Sequence, residues 1–167
     1  MKFYALLCSR RHVLCATLVA ILALALPAGS AAAPPDTATV RFGNPEVGSP
    51  FSPQSGHDRS SNAKDNLVPR TVVISHGGQV TFDINGFHQV AIYQAGTRPE
   101  DITVPPSGLF VNDPSGRIAL GPRNVPPSTT AWTAPAGTFS TPGRYLVICN
   151  VRPHFAESNM YGWVIVR

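Results

Sequence analysis

The chain has 167 residues with a formal net charge of +4, and only 13% of them are charged while 43% are hydrophobic. This length fits one domain with a tail, and its 17 prolines fall too often for coiled coils or long helical bundles. The prolines and 14 glycines favour short strands joined by turns.

The N-terminal segment has the layout of a secretory signal. Lys2, Arg10 and Arg11 precede an apolar stretch at 13–26, and small residues follow. We expect cleavage after Ala32 and an exported protein, periplasmic or extracellular. The apolar stretch is too short for stable membrane insertion. The two adjacent arginines resemble a twin-arginine export motif, and a general secretory signal that happens to carry them is the alternative.

Removing this signal changes the charge and the cysteine count. It takes away three of the 13 basic residues and none of the 9 acidic ones, which leaves 10 against 9 and a net charge of +1. No basic run remains, so nucleic acid is not an expected partner. Cys8 and Cys15 leave as well, and Cys149 alone cannot form an intrachain disulfide. Burial, an intermolecular bridge, nucleophilic chemistry or a metal would explain this exported thiol.

The mature chain is expected to form one domain, 33–167. Its first part, 33–70, combines a strand at 39–42 with a long polar loop that is rich in turn residues. Its second part, 71–167, contains the core strands. Short strands with frequent turns favour an antiparallel sandwich or barrel, and no amphipathic helix is predicted.

The core strands follow from hydrophobic patterning. Alternating apolar residues mark 79–84, which predicts one buried face. A proline-rich segment at 96–135 separates two groups of strands, and short strands at 109–111 and 117–120 are expected within it because a structureless loop of that length is unusual. The other predicted strands are 71–74, 87–93, 137–140, 143–150 and 161–167.

Soft donor atoms are concentrated near the C-terminus. Cys149 ends a predicted strand on the same face as Val147, so its thiol points inward. His154 and Met160 follow in the loop before the last strand, and thiolate, imidazole and thioether suit copper better than hard cations. His88, after an Asn-Gly turn, adds a second imidazole. Two histidines, one cysteine and a weak axial methionine make up a blue-copper electron-transfer site.

The segments that carry these donors resemble those of the cupredoxins, close to the plastocyanin and azurin group. The resemblance covers 71–94 and 137–167, and its matching pieces are 86–90, 138–149, His154 and 160–166. It implies a Greek-key β-sandwich that binds one type 1 copper ion at its loop end, with the proline-rich segment as a long loop insertion. The copper ligands that it implies are His88, Cys149, His154 and Met160.

Two features depart from the family pattern. The residue after the first ligand histidine is often an Asn that ties the ligand loops together, and here it is Gln89. The spacing from His154 to Met160 is longer than in plastocyanin or azurin, so Glu157 or Asn159 offers an alternative axial oxygen. Met160 is still the predicted ligand because its place before the last strand fits the family layout.

The resemblance implies a non-catalytic monomer that carries single electrons by Cu(I)/Cu(II) cycling, with a transient redox protein as its partner. A copper-binding or copper-delivery protein without an electron-transfer role is the alternative. An enzyme with Cys149 as nucleophile and His154 as base is a third hypothesis, disfavoured because no acid occupies a matching position. Pro153 and Phe155, which flank His154, would form an apolar docking rim if exposed and would be ordinary loop packing if buried.

Overall fold

The computed structural model of the protein describes residues 32–43, 66–125 and 128–167. In these residues nine strands form two sheets, accompanied by two short helices. The elements in chain order are β1 (Thr37–Phe42), β2 (Leu67–Val68), β3 (Thr71–Ile74), β4 (Gln79–Asn85), β5 (Val90–Ala95), a 3₁₀ helix (Pro99–Asp101), β6 (Arg117–Leu120), β7 (Thr129–Thr133), β8 (Gly143–Cys149), α1 (Arg152–Ala156) and β9 (Tyr161–Val166).

The strands are divided between a four-stranded sheet, ordered β2-β1-β4-β7, and a five-stranded sheet, ordered β3-β9-β8-β5-β6. The chain passes between the sheets repeatedly, and the predicted all-β Greek-key sandwich is confirmed. Two pairs run parallel, however, β1 with β4 and β3 with β9. The other five pairs of described strands are antiparallel, so the predicted antiparallel pairing holds except at these two crossings.

The main core lies between the two sheets. In β4, Val80, Phe82 and Ile84 are fully buried, as the alternation predicts. Val147 and Cys149 of β8 contribute to the same apolar cluster from the other sheet, so the Cys149 thiol lies on the inward face. Each fully buried Phe or Ile contributes roughly 1.5–3 kcal/mol of hydrophobic stabilisation.

The five-stranded sheet is also covered on its outer face. A second buried cluster there contains Ala91, Tyr93, Ile102, Val111, Leu146, Ile148 and Phe155. Because β8 is buried on both faces, its sequence is a nearly continuous apolar run instead of an alternating one. Ile102 and Val111 of the proline-rich segment belong to this cluster, and their burial holds that part of the segment against the sheet.

Three further expectations about strands are wrong or incomplete. The residues predicted as a strand at 137–140 form a turn instead, with Phe139 buried in the main core. The segment 109–111 contributes only an isolated bridge, from Phe110 to Val151. β7 was not expected, because Thr-rich residues in a proline-rich segment become a strand only through their pairing with β4.

Residues 1–31 and 44–65 lie outside the part of the chain that the structure describes. The predicted signal peptide and most of the polar loop therefore lie outside the described residues. β1 confirms the first predicted strand, and the short β2 pairs with its end. Within the described part of the chain, no helix has the length and apolar character needed to cross a membrane.

Candidate metal centre

Pairing of β5 with β8 brings the first two predicted ligands together. Cys149 is the last residue of β8 and lies opposite Val90, the first residue of β5. His88 lies two residues before Val90 and therefore outside β5. The predicted strand, 87–93, had included it. Sheet pairing thus closes a separation of 61 residues between Cys149 and His88.

His154 reaches the site from a helix, not from the expected loop. α1 has Pro153 in its first turn, where a missing N–H costs no helical hydrogen bond. After the helix, the Met160 N–H donates to the His154 carbonyl (2.9 Å), and the Cys149 N–H donates to the Met160 carbonyl (3.0 Å). The backbone of Met160 therefore links the segments that carry Cys149 and His154.

Three donor atoms form a compact triangle. The Cys149 sulfur lies 3.6 Å from His88 Nδ1 and 3.7 Å from His154 Nδ1, and the two nitrogens are 3.0 Å apart. For a triangle with these three sides, the point equidistant from the three atoms lies about 2.0 Å from each of them. This distance is close to the metal–nitrogen and metal–sulfur bond lengths of roughly 2.0–2.3 Å found in proteins. The triangle thus matches the size of a single metal site.

The three donor residues are buried, and aromatic and imidazole rings pack around them. His88, Cys149 and His154 are 4%, 0% and 7% exposed. The imidazole rings of His88 and His154 pack edge to face with centroids 4.8 Å apart, and Phe42 packs edge to face on His88 at 5.9 Å. A Cβ atom on Gly43, at the end of β1, would lie only 2.5 Å from His88 Nε2. The chain at Gly43 therefore fits directly against the far edge of His88.

Gln89 stands where the cupredoxins often have an Asn that ties the ligand loops together, and it makes such a connection here. Its backbone carbonyl accepts from the Asn150 N–H (2.7 Å), and its side-chain carbonyl accepts from Asn150 Nδ2 (2.8 Å). Its own Nε2 donates to the Gly121 carbonyl at 2.9 Å. The longer Gln side chain therefore ties the residue after His88 to the residue after Cys149.

Three residues that support the site were not singled out from the sequence. Gly43 has φ +90°, Asn150 is fully buried beside Cys149, and Asn124 donates from its backbone N–H to the His88 carbonyl (2.9 Å) and from Nδ2 to the Gly86 carbonyl (2.8 Å). Their residue types are common in turns, so sequence alone does not distinguish them.

Met160 and the two alternative axial donors have different surroundings. Met160 is fully buried in the main core. The Glu157 side chain is exposed and lies 4.0 Å from Arg152, and Asn159 is exposed on a left-handed turn with φ +52°. Met160 is therefore buried and bonded through its backbone to the segments that carry Cys149 and His154, whereas both oxygen donors belong to exposed residues.

The donor set fits copper. Two imidazole nitrogens and a thiol around one centre, with a thioether on the adjoining segment, are softer than the oxygen sets that hold Ca²⁺ or Mg²⁺. The predicted cofactor therefore agrees with the side chains that the fold brings together.

Phe155 does not form an exposed rim around His154. It is 6% exposed and packs into the outer cluster, with its ring centroid 6.3 Å from that of Tyr161. Of the two alternatives, ordinary packing is correct for this side chain. Leu109 and Val125, which are 48% and 57% exposed, are instead exposed aliphatic side chains at this end.

No protein-family model matches the sequence, and no curated protein matches it. Among solved structures, an auracyanin from the photosynthetic bacterium Roseiflexus castenholzii matches with a TM-score of 0.51 and 16% identity, covering 80% of this chain and 98% of that one. Auracyanin A from Chloroflexus aurantiacus (0.45, 20%, covering 78% and 98%) and plastocyanin from Dryopteris crassirhizoma (0.39, 16%, covering 78% and 100%) also match. The chain has the cupredoxin fold, as its ligand segments predicted.

Proposed function

We propose that this protein is an exported type 1 (blue) copper protein that carries single electrons and is not an enzyme. Its copper ligands would be His88, Cys149, His154 and Met160. The observation that carries the proposal is the buried triangle of one thiol and two imidazole nitrogens, sized for one metal ion. With an axial methionine, this is the donor set of blue-copper electron-transfer sites. The bound ion would supply the one-electron Cu(I)/Cu(II) couple.

The protein's part in this function is to hold the donors in place and keep water out. Cys149 is fixed at the end of a strand that is buried on both faces. His88 is held by the Asn124 N–H, which donates to its carbonyl, and by contact with Phe42. These constraints oppose the ligand movement that would otherwise accompany a change of copper charge. Burial of all three donors also disfavours copper delivery, because a recipient protein would need access to them.

The same burial argues against a nucleophilic role for Cys149. Both histidines contact its sulfur, which would suit general-base activation. The side chain is fully buried, however, so a substrate has no route to the sulfur. Holding a metal uses the same contacts without requiring access.

The proposed partner is a transient redox protein that docks at the metal end. The backbone N–H of Arg152, in α1, donates to the Leu109 carbonyl (2.9 Å), which places the exposed Leu109 beside the helix that carries His154. Small exposed apolar surfaces of this kind are suited to brief contacts. A monomer is the expected state for such a carrier.

A visible absorption spectrum of the mature protein with one equivalent of Cu(II) tests the function. We expect an intense thiolate-to-copper charge-transfer band, its loss in Cys149→Ser, and a reversible one-electron wave in voltammetry. Tyr145→Phe, at the opposite end of β8, is the matched control and should keep the band. Copper binding without the band would favour carriage over electron transfer, and absence of copper binding would overturn the proposal.

Export is tested separately, by mass spectrometry of the protein recovered outside the cytoplasm. A mature N-terminus at Ala33 is expected from the small residues that follow the apolar stretch. An intact Met1 in the recovered protein would contradict the predicted signal peptide.

A further inference from the structure

Residues 108–112, inside the proline-rich segment, pair with the short stretch of chain between Cys149 and His154. The Val111 N–H donates to the Asn150 carbonyl (2.8 Å), and the Arg152 N–H donates to the Leu109 carbonyl (2.9 Å). Phe110 and Val151 form an antiparallel bridge between these two bonds. The pairing therefore fixes the backbone that connects two proposed ligands.

The side chain of Asn150 joins this pairing to the third ligand segment. Its Oδ1 accepts from the Asn112 N–H (2.9 Å). Its Nδ2 donates to Asn112 Oδ1 (3.1 Å) and to Gln89 Oε1 (2.8 Å). Because Asn150 is fully buried, an unpaired amide there would be costly. The buried amide of Asn150, the residue after Cys149, thus connects residues 108–112 to Gln89, the residue after His88.

The two ends of the segment 108–112 are also held. Asn112 has φ +50°, a left-handed conformation that Asn tolerates better than most residues, and there it presents both its N–H and its Oδ1 to Asn150. At the other end, Arg152 Nε donates to the Gly108 carbonyl (2.9 Å). In the middle, the Phe110 ring packs against Phe87 at 6.1 Å.

We propose that residues 108–112 act as a strap that positions the Cys149–His154 loop before any metal binds, with Asn112 as its positioning residue. This proposal rests on the proposed copper function, because that function is what makes the Cys149–His154 loop a ligand loop. The strap contributes no donor atom. It acts through Asn150, and it would keep the ligand backbone in the same place with and without the metal.

Amide hydrogen exchange in the metal-free mature protein tests the strap directly. Asn112→Gly keeps the left-handed backbone and removes the acceptor for Asn150 Nδ2, whereas Asn112→Asp keeps both the conformation and the acceptor. We expect about tenfold faster exchange at the Val111 and Arg152 amides in Asn112→Gly, as one lost buried hydrogen bond allows. The Phe82 amide, in β4 of the other sheet, should be unchanged, and Asn112→Asp should resemble the wild type.

The copper-loaded protein gives a second readout, which a merely structural role would not change. In Asn112→Gly we expect a shifted charge-transfer band and a shifted reduction potential, with both restored in Asn112→Asp. Unchanged exchange at Val111 and Arg152, or equal acceleration at Phe82, would overturn the strap. If the wild type lacks the charge-transfer band while the exchange result holds, the copper function fails and the strap stands.

Discussion

The two ends of the sandwich are built in different ways. At the metal end, the buried amide side chains of Asn85, Gln89, Asn124 and Asn150 bond to the backbone or to each other. At the opposite end, the turn 134–142 before β8 contains no Asn, Gln, Asp or His, and it borders an open groove of about 550 Å³.

This difference shows that backbone positions are fixed more strictly at the metal end than at the opposite end. A buried amide is tolerated only when its donors and acceptors are paired, so each one fixes the backbone around it in a particular place. Apolar packing and turns fix positions less strictly. Substitutions at the metal end should therefore change both stability and the copper spectrum, whereas those at the opposite end should change stability alone.

Gly43→Ala is expected to have the largest effect. Its φ of +90° is unfavourable for Ala, and the new Cβ would clash with the Asn85 carbonyl oxygen and lie 2.5 Å from His88 Nε2. Strain and displacement of His88 together should cost on the order of 3 kcal/mol. Urea unfolding of the metal-free protein and the copper charge-transfer band measure the two consequences.

Gly77→Ala is the matched control at the opposite end. Gly77 also has a positive φ, +77°, but no atom lies within 4 Å of its added Cβ. It should lose about 1 kcal/mol from backbone strain alone and keep an unchanged copper band. If both Ala variants lose equal stability and both keep the band, the contact of Gly43 with His88 does not position the ligand.

Between the two ends, on the outer face of the five-stranded sheet, Tyr93 should make stability depend on alkaline pH. Burial, with a further contribution from Asp113 and opposition from Arg117, raises the pKa of Tyr93 from 10.0 to about 12. Between these pH values the unfolded chain releases the proton and the native protein retains it. Stability should thus be complete below pH 10 and fall as the pH rises toward 12, by roughly 2–3 kcal/mol.

Unfolding curves of the wild type and Tyr93→Phe, measured from pH 7 to pH 12, isolate this effect. At neutral pH the variant should be less stable by about 1 kcal/mol, because the Tyr93 hydroxyl donates to the Asp113 carbonyl (3.0 Å). The difference should shrink and reverse in sign as the pH rises. A constant difference across the range would show that the native pKa of Tyr93 is not raised.

Tyr145→Phe should have the smallest effect. Its hydroxyl donates to the Thr141 carbonyl at 2.7 Å, beside the open groove. Because this bond is only partly buried, losing it should cost about 0.5 kcal/mol in thermal or urea unfolding. The copper band should be unchanged, since Tyr145 lies near the opposite end of β8 from Cys149. A changed spectrum would mean that the two ends are not independent.

Much of the strand set could be predicted from local patterns. In β4, alternation with a period of two gives the buried face directly, and in β8 a continuous apolar run marks a strand that is covered on both sides. β7 and α1 could not be found in this way. β7 is Thr-rich and depends on pairing with β4, and α1 has only five residues, too few for a helical period to show.

The sequence by itself determined the donor types and the inward direction of Cys149, because side chains alternate along a strand and few soft donors lie outside the predicted signal peptide. Only the tertiary structure decided how His88 meets Cys149, that Gln89 bonds to Asn150, and that residues 108–112 reach the ligand loop. These contacts join positions that are distant along the chain, and sheet pairing sets them. No local pattern encodes which strands will be neighbours, so the donors could be named from the sequence, whereas their geometry required the fold.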